Sequence, residues 1–112
     1  MKLRYLGTDT RNNGSPTLYA TDRCSYVVQG WKLPERDDRH IIEIPHPLLA
    51  YLEQGTCLGT RLEDTGHGTF ILSGEPVTDT DTLAQMNTPD CEQSIEVPQG
   101  KEIRPDDATS QH

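Results

Sequence analysis

Residues 17–31 read TLYATDRCSYVVQGW, and a looser copy, TRLEDTGHGTFILSG, occupies residues 60–74. The two stretches align without gaps at a shift of 44 positions, which places Gly30 on Gly74 and matches the apolar residues before each glycine. Short runs of Val, Ile and aromatic residues favour strands, and the polar residues between the runs favour a tight turn. Each copy therefore predicts a β-hairpin.

A second pair of similar strings follows the hairpins, IEIP at residues 42–45 and IEVP at residues 95–98. Internal repetition of this kind is typical of a duplicated unit, and it predicts two pseudo-repeated β-hairpin units at residues 17–45 and 60–98. The alternative is that two hairpins of one sheet resemble each other because the same residue types populate every strand. Both interpretations stay open at the level of the sequence.

The composition indicates a single domain with a modest core. The chain has 112 residues, of which 32% are hydrophobic, and its mean hydropathy is −0.71. A chain of this size buries one core, which we expect within residues 1–98. Residues 99–112 have almost no apolar side chains, so they predict a disordered acidic tail.

The charge disfavours nucleic acid and membranes as direct partners. Acidic side chains number 18 against 10 basic ones, and the formal net charge is −8, which repels phosphate groups. A basic protein or a cation is the partner that this charge fits. The other interpretation is that the acidic excess serves solubility alone.

The cysteine pattern and the N-terminal residues indicate a cytoplasmic protein. Cys24, Cys57 and Cys91 are odd in number and form no C-x-x-C pair, which argues against a disulfide framework or a zinc ribbon. The chain begins without a signal-peptide pattern, and no apolar run approaches the roughly 18 residues that indicate a membrane span. We therefore expect free thiols and a cytoplasmic location.

The pattern along the chain predicts an α+β fold, with a mainly antiparallel sheet of about six or seven strands and one or two short helices. Residues 26–32 carry bulk on both faces, so we expect this strand at the centre of the sheet. Pro47 and the leucines after it predict a helix that ends at Gly55. The segment VTDTDTLAQMN predicts a second helix with Leu83 facing the sheet, and Pro98 is expected to end the last strand.

Motifs for catalysis, cofactor binding and metal binding are missing from the sequence. It contains no G-x-S-x-G, H-E-x-x-H or Walker string, and His40, His46 and His67 lack the spacing of metal ligands. We therefore expect no catalytic residue, cofactor or metal, and the absence of motifs favours a non-enzymatic protein. Glu43 and Glu96 hold matching places in the two units, either as solvent-facing strand residues or as an acid and base pair.

Four residues are candidates for an interaction surface or a pocket: Trp31, Tyr26, Arg23 and His67. Trp31 is the lone tryptophan and ends a predicted strand, which suits an interface anchor as well as a core position. Arg23 and His67 occupy the same position of the two predicted turns and differ in residue type. Tyr26 opens the return strand of the first hairpin.

The strings TLYATDRCSYVVQGWK, LAQM and IEVP resemble those of a family of uncharacterised small acidic proteins of actinobacteria, of the streptomycete type. The resemblance covers most of the chain up to about Gly100. Proteins of this group are encoded beside helix-turn-helix regulators, so the resemblance implies an accessory or antitoxin-like role. It implies no catalytic residue.

Charge, missing motifs and resemblance lead to one preferred function. We expect a non-enzymatic acidic interaction or regulatory accessory protein that is a partner of a basic DNA-binding regulator. This chain is also expected to be able to form a homodimer. The alternative is a small-molecule-binding domain or minor enzyme with a pocket between the two halves, near Trp31, Tyr26 and His67.

Overall fold

A computed structural model describes residues 1–9, 16–33, 38–86 and 91–101. These residues form a mostly antiparallel β-sheet with two short helices, in agreement with the predicted class. The strands are β1 Leu3–Thr8, β2 Thr17–Thr21, β3 Ser25–Trp31, β4 Ile41–Pro45, β5 Thr56–Leu58, β6 Glu63–Asp64, β7 Thr69–Ser73, β8 Glu75–Pro76 and β9 Glu92–Lys101.

Strand β3 lies at the centre of the sheet, as its two apolar faces predicted. The main strand order is β1-β2-β3-β4-β7-β6, and β9 pairs with β3, β5 and β8. Strand β3 contacts β2 along one edge and β9 along the other, and at Trp31 it also pairs with Glu43 of β4. The described residues form nine strands, more than predicted, because several pairings involve only two or three residues.

Four of these pairings form a closed cycle around the core. Strand β3 pairs with β9, β9 with β8, β7 with β4, and β4 with β3, while Gly74 joins β7 to β8. Tyr26 and Val28 of β3 point into this cycle, where they are fully buried. The core cluster consists of Leu18, Ala20, Tyr26, Val28, Ile42, Ile44, Leu48, Leu58, Leu72, Ile95 and Val97.

Two glycines allow the cycle to close. A β carbon at Gly30 would lie 2.6 Å from the carbonyl oxygen of Glu43, and one at Gly74 would lie 2.7 Å from the carbonyl oxygen of Glu96. Carbon atoms do not approach a backbone oxygen this closely without displacing it. The matching glycines of the two sequence copies are therefore required by backbone packing beside the Trp31–Glu43 and Glu75–Glu96 pairs.

The first predicted helix is present, but it is a 3₁₀ helix that spans His46–Tyr51. Leu48 is fully buried under the sheet, as the apolar stripe predicted. The chain leaves the helix at Leu52, whose backbone is extended. Gly55, with φ of 79°, lies in the next turn, so its predicted role at the helix end was wrong.

The second predicted helix, α1, spans only Thr80–Leu83. Asp79 caps it, because the Asp79 carboxylate accepts a hydrogen bond from the Thr82 amide at 3.1 Å. Leu83 is 36% exposed while Thr82 is fully buried, so the prediction that Leu83 faces the sheet was wrong: a single turn points one side chain inward. None of the helices in the described part of the chain has the length and apolar character to cross a membrane.

Strand β9 continues past Pro98, against the prediction that this proline ends it. The Gln99 amide donates to the Cys24 carbonyl at 3.1 Å, and the Pro98 carbonyl accepts from the Gly59 amide at 2.7 Å. The sheet therefore needs no amide donor at Pro98, and β9 continues from its pairing with β3 to its pairing with β5. The predicted tail boundary falls inside β9, and residues 102–112 lie outside the described residues.

Candidate interaction surface

The turns of the two hairpins are held by the same side-chain hydrogen bonds. In the β2–β3 turn, Thr21 Oγ1 lies 2.6 Å from Ser25 Oγ. In the β6–β7 turn, Thr65 Oγ1 lies 2.7 Å from Thr69 Oγ1. Because the hydroxyl groups close each turn at the same two positions, the turns share their geometry as well as their sequence spacing.

Each turn also holds a glutamate from a neighbouring strand. Ser25 Oγ donates to Glu96 of β9 at 2.5 Å, and Thr69 Oγ1 donates to Glu43 of β4 at 2.6 Å. The two carboxylates lie apart, because their partners on β3 are four residues from each other, roughly 13 Å along a strand. The geometry therefore does not favour an acid and base pair, and both glutamates serve as strand residues tied to a turn.

The strand registers of the two hairpins also correspond. Adding 44 to the residue numbers of β3 and subtracting 53 from those of β9 converts the β3–β9 pairs into the observed β7–β4 pairs. These matching contacts support a common architecture for the two hairpins. The corresponding pairs are Tyr26 with Val97 and Phe70 with Ile44, and Val28 with Ile95 and Leu72 with Ile42.

The candidate residues of the two turns are exposed and differ in their contacts. The Arg23 guanidinium lies 2.8 Å from Glu96 Oε1, so it is paired within its own sheet. The His67 amide donates to Thr65 Oγ1 at 3.2 Å, and its side chain is exposed. Both residues lie at the tips of hairpins.

Tyr26 is a core residue. Its side chain is fully buried, and its hydroxyl contacts Thr56 Oγ1 and accepts a hydrogen bond from the Glu53 amide at 3.0 Å. It therefore ties residues 53–56 to the sheet from inside the core.

Trp31 lies at the far end of β3 from Arg23. The eight positions between them correspond to more than roughly 20 Å of strand, so the two do not share a site. Trp31 is partly exposed and lies directly across from Glu43 of β4. Of the predicted residues, Trp31 is the one that the fold combines with other exposed groups.

The outer side of β6, β7, β4 and β3 carries a continuous row of side chains that we call the acidic face: Glu63, Ile71, Glu43 and Trp31. Direct cross-strand pairs connect Glu63 to Ile71, Ile71 to Glu43, and Glu43 to Trp31. Glu63 is exposed and the other three are partly exposed. Directly paired residues share a side of the sheet, so carboxylates and apolar groups alternate along this row.

His46 and Asp64 form a fixed corner near the acidic face. The Nε2 atom of His46 lies 3.2 Å from Asp64 Oδ1 and 3.1 Å from the Thr69 carbonyl oxygen, and its ring stacks on Phe70 with 4.1 Å between centroids. The pKa of Asp64 is lowered, first by the hydrogen bond from the Gly66 amide and then by His46. Sequence reasoning treated His46 only as a possible metal ligand and missed this pair.

A shallow depression of about 340 Å³ lies between the 3₁₀ helix and β5. The predicted pocket between the two halves named Trp31, Tyr26 and His67, and none of these three lines the depression. Its lining residues are Leu49, Leu52, Glu53, Gln54, Gly55, Thr56 and Cys57. Among the described residues, no group of three or more His, Cys, Asp and Glu side chains is arranged to hold a metal ion.

Comparison with known proteins does not assign the chain to a family. No family model, curated protein or solved structure matches it. The exposed chemistry of the sheet is therefore the basis for a functional proposal. The acidic face contributes Glu63 and Ile71, which sequence reasoning missed because their pairing across the hairpin is known only from the structure.

Proposed function

We propose that this chain is a non-enzymatic interaction domain that binds a basic protein through its acidic face. The observation that carries the proposal is the row Glu63, Ile71, Glu43 and Trp31, where carboxylates alternate with apolar side chains on an open sheet surface. A partner that covers this row gains apolar contact with Ile71 and Trp31 while its own cations neutralise the glutamates. Tryptophan is among the residues that most often dominate binding energy.

The net charge favours a basic partner. At −8 the chain repels nucleic acid, whereas opposite charge on a protein surface accelerates and orients association. A DNA-binding regulator carries such a surface, and covering it would block its contact with DNA. An accessory role beside a regulator agrees with the resemblance of the sequence to small actinobacterial proteins.

Internal duplication accounts for why this face is open, and we include it in the proposal. The corresponding row of the first unit is Tyr19, Val27, Glu96 and Glu75, in which Val27 is fully buried and Tyr19 is only 8% exposed. Strand β1 pairs with the edge of β2 and extends this row, and Tyr5 packs edge-on against Tyr19. The second unit has no equivalent strand among the described residues. The shared turn hydrogen bonds support the duplication.

Affinity purification from the native host with the full chain as bait tests the function. We expect capture of a basic protein by the unchanged chain and by Tyr5→Ala, a control that removes an exposed aromatic ring outside the acidic face. Trp31→Ala should reduce capture at least tenfold. With the purified partner, the fluorescence of Trp31, the chain's lone tryptophan, should shift to shorter wavelength. Equal capture by both variants would reject the acidic face as the binding surface.

A further inference from the structure

In the first predicted unit, strand β1 pairs with the outer edge of β2. In the second unit, no strand of the described residues pairs with the outer edge of β6. In the first half, β1 pairs with β2, with Arg4 opposite Ala20 and Tyr5 opposite Tyr19. At the shift of 44 positions, Ala20 corresponds to Asp64 and Tyr19 to Glu63. Within the described residues β6 pairs with β7 alone. Its outer edge therefore corresponds to the edge of β2 that β1 covers.

The other outer edge of the sheet, on β1, is already protected by the chain itself. The Leu3 amide, at the start of this edge, donates to Gln85 Oε1 at 2.9 Å. The Arg4 guanidinium lies 3.0 Å from Glu53 Oε2. Proteins cover edge strands in such ways to prevent pairing with another chain. The start of the β1 edge is therefore already paired within the chain.

We propose that the outer edge of β6 binds an extended basic segment of the partner protein, in the position that β1 occupies on β2. This inference rests on the proposed function and specifies how the basic partner is recognised. Main-chain hydrogen bonds from an added strand supply affinity, and side chains at alternate positions supply specificity. In the register of β1, the segment places a residue opposite Glu63 and another opposite Asp64, and both carboxylates are exposed.

The charge of the edge selects the occupant. Strand β1 itself carries Arg4 at the register position that faces Asp64 in the second unit. A segment with the pattern of β1 therefore brings a guanidinium across from the Asp64 carboxylate and places the counterpart of Tyr5 across from Glu63. An acidic segment would meet like charges directly across the strands, which is unfavourable.

The short length of β6 fits a strand that becomes longer when a partner binds. Strands β2 and β3 pair through four positions, whereas β6 and β7 pair through two. Leu62 already packs against the core, and Thr60 Oγ1 donates to the Ser73 carbonyl at 3.1 Å. The residues before β6 thus lie close to a strand path, and an added strand extends β6 through Arg61 and Leu62.

A labelled peptide with the sequence KLRYLGT, that of residues 2–8, tests the inference on the full chain. We expect fluorescence anisotropy to report binding and hydrogen exchange to slow at residues 61–64. Asp64→Lys should weaken binding at least tenfold. Glu75→Lys, a matched control with the same change of charge on the exposed β8 residue, should change it less than twofold. A peptide with glutamate in place of its lysine and arginine should not bind.

Several outcomes would overturn the inference. Equal weakening by Asp64→Lys and Glu75→Lys would show attraction to net charge alone, and slowed exchange outside residues 61–64 would locate the peptide elsewhere. Asp64→Asn, which should weaken binding less than Asp64→Lys, provides a milder variant if the lysine variant does not fold. A partner that depends on Trp31 but binds the Asp64→Lys chain unchanged would reject the edge and retain the proposed function. If neither peptide nor partner binds, both proposals fail.

Discussion

Cys24 has the left-handed backbone conformation that Gly68 has at the same position of the other hairpin turn. The φ angle is 56° at Cys24 and 85° at Gly68. Each residue also presents its carbonyl oxygen to a chain that passes behind the turn, Cys24 to the Gln99 amide at 3.1 Å and Gly68 to the His46 amide at 2.9 Å. The turns therefore have one geometry, and only the second has the residue type that adopts it without strain.

Exchanging side chains at these two positions should have opposite effects on stability. Cys24→Gly should raise the free energy of unfolding by up to about 1 kcal/mol, because the relief of left-handed strain exceeds the added freedom of the unfolded chain. Gly68→Ala should lower it by about 1–2 kcal/mol. Urea unfolding followed by circular dichroism measures both. A loss of stability in both variants would contradict a shared turn geometry.

Gly30 and Gly74 should not tolerate a side chain. Gly30→Ala and Gly74→Ala should each lower the free energy of unfolding by at least about 2 kcal/mol, because the new methyl group meets a backbone carbonyl at under 3 Å. Gly55→Ala is the control: nothing lies within 4 Å of its β carbon, so only its positive φ is penalised, by about 1 kcal/mol. Thermal and urea unfolding compare the three. Equal losses in all of them would mean that the strands can separate at little cost.

Removing the buried hydroxyl of Tyr26 should destabilise the loop before β5. Tyr26→Phe leaves the Glu53 amide and the Thr56 hydroxyl without this partner, at a cost of about 1–3 kcal/mol. Hydrogen exchange should accelerate at residues 53–56 beyond the change elsewhere. Tyr5→Phe, at a residue 62% exposed, should change stability by less than about 0.5 kcal/mol. Uniform acceleration across the chain would contradict the tethering role.

Asp64 should contribute stability that disappears in acid. Its pKa is lowered in the folded chain, chiefly by the Gly66 amide, so its contribution is present above the unfolded pKa, about 3.9, and is lost as the pH falls through the folded value. Carbon-detected NMR titration should give a pKa below that of a reference peptide. His46→Phe should raise this pKa only in part, because the Gly66 contact remains. A complete return to the peptide value would make His46 the main cause.

Local features of the fold were predictable where neighbouring residues decide them. The hairpin at residues 17–31 and the central position of β3 follow from alternation and turn chemistry, and both were confirmed. Predictions that required knowledge of the partner strands failed: Pro98 was expected to end a strand, and Leu83 was expected to face the sheet. Whether proline interrupts a strand depends on which neighbour needs its amide, and this is a tertiary property.

The residues of the candidate site were only partly predictable from the sequence. Trp31 was selected because it is the lone tryptophan and lies at a strand end, and the fold gives it exposed neighbours. Glu63 and Ile71 were missed because each is an ordinary strand residue until its cross-strand partners are known. Tyr26 was selected for a pocket, and the closed cycle of strands places it in the core.

The sequence by itself determined the two hairpin turns, the central strand, the matching glycines and the negative charge, since each depends on residue type and on neighbours a few positions away. Tertiary structure alone decided that β9 pairs with three strands, that Gly30 and Gly74 meet backbone carbonyls, and that Glu63, Ile71, Glu43 and Trp31 lie in one row. These features join residues tens of positions apart. Their order follows from how the twisted strands close around one core, which no local pattern encodes.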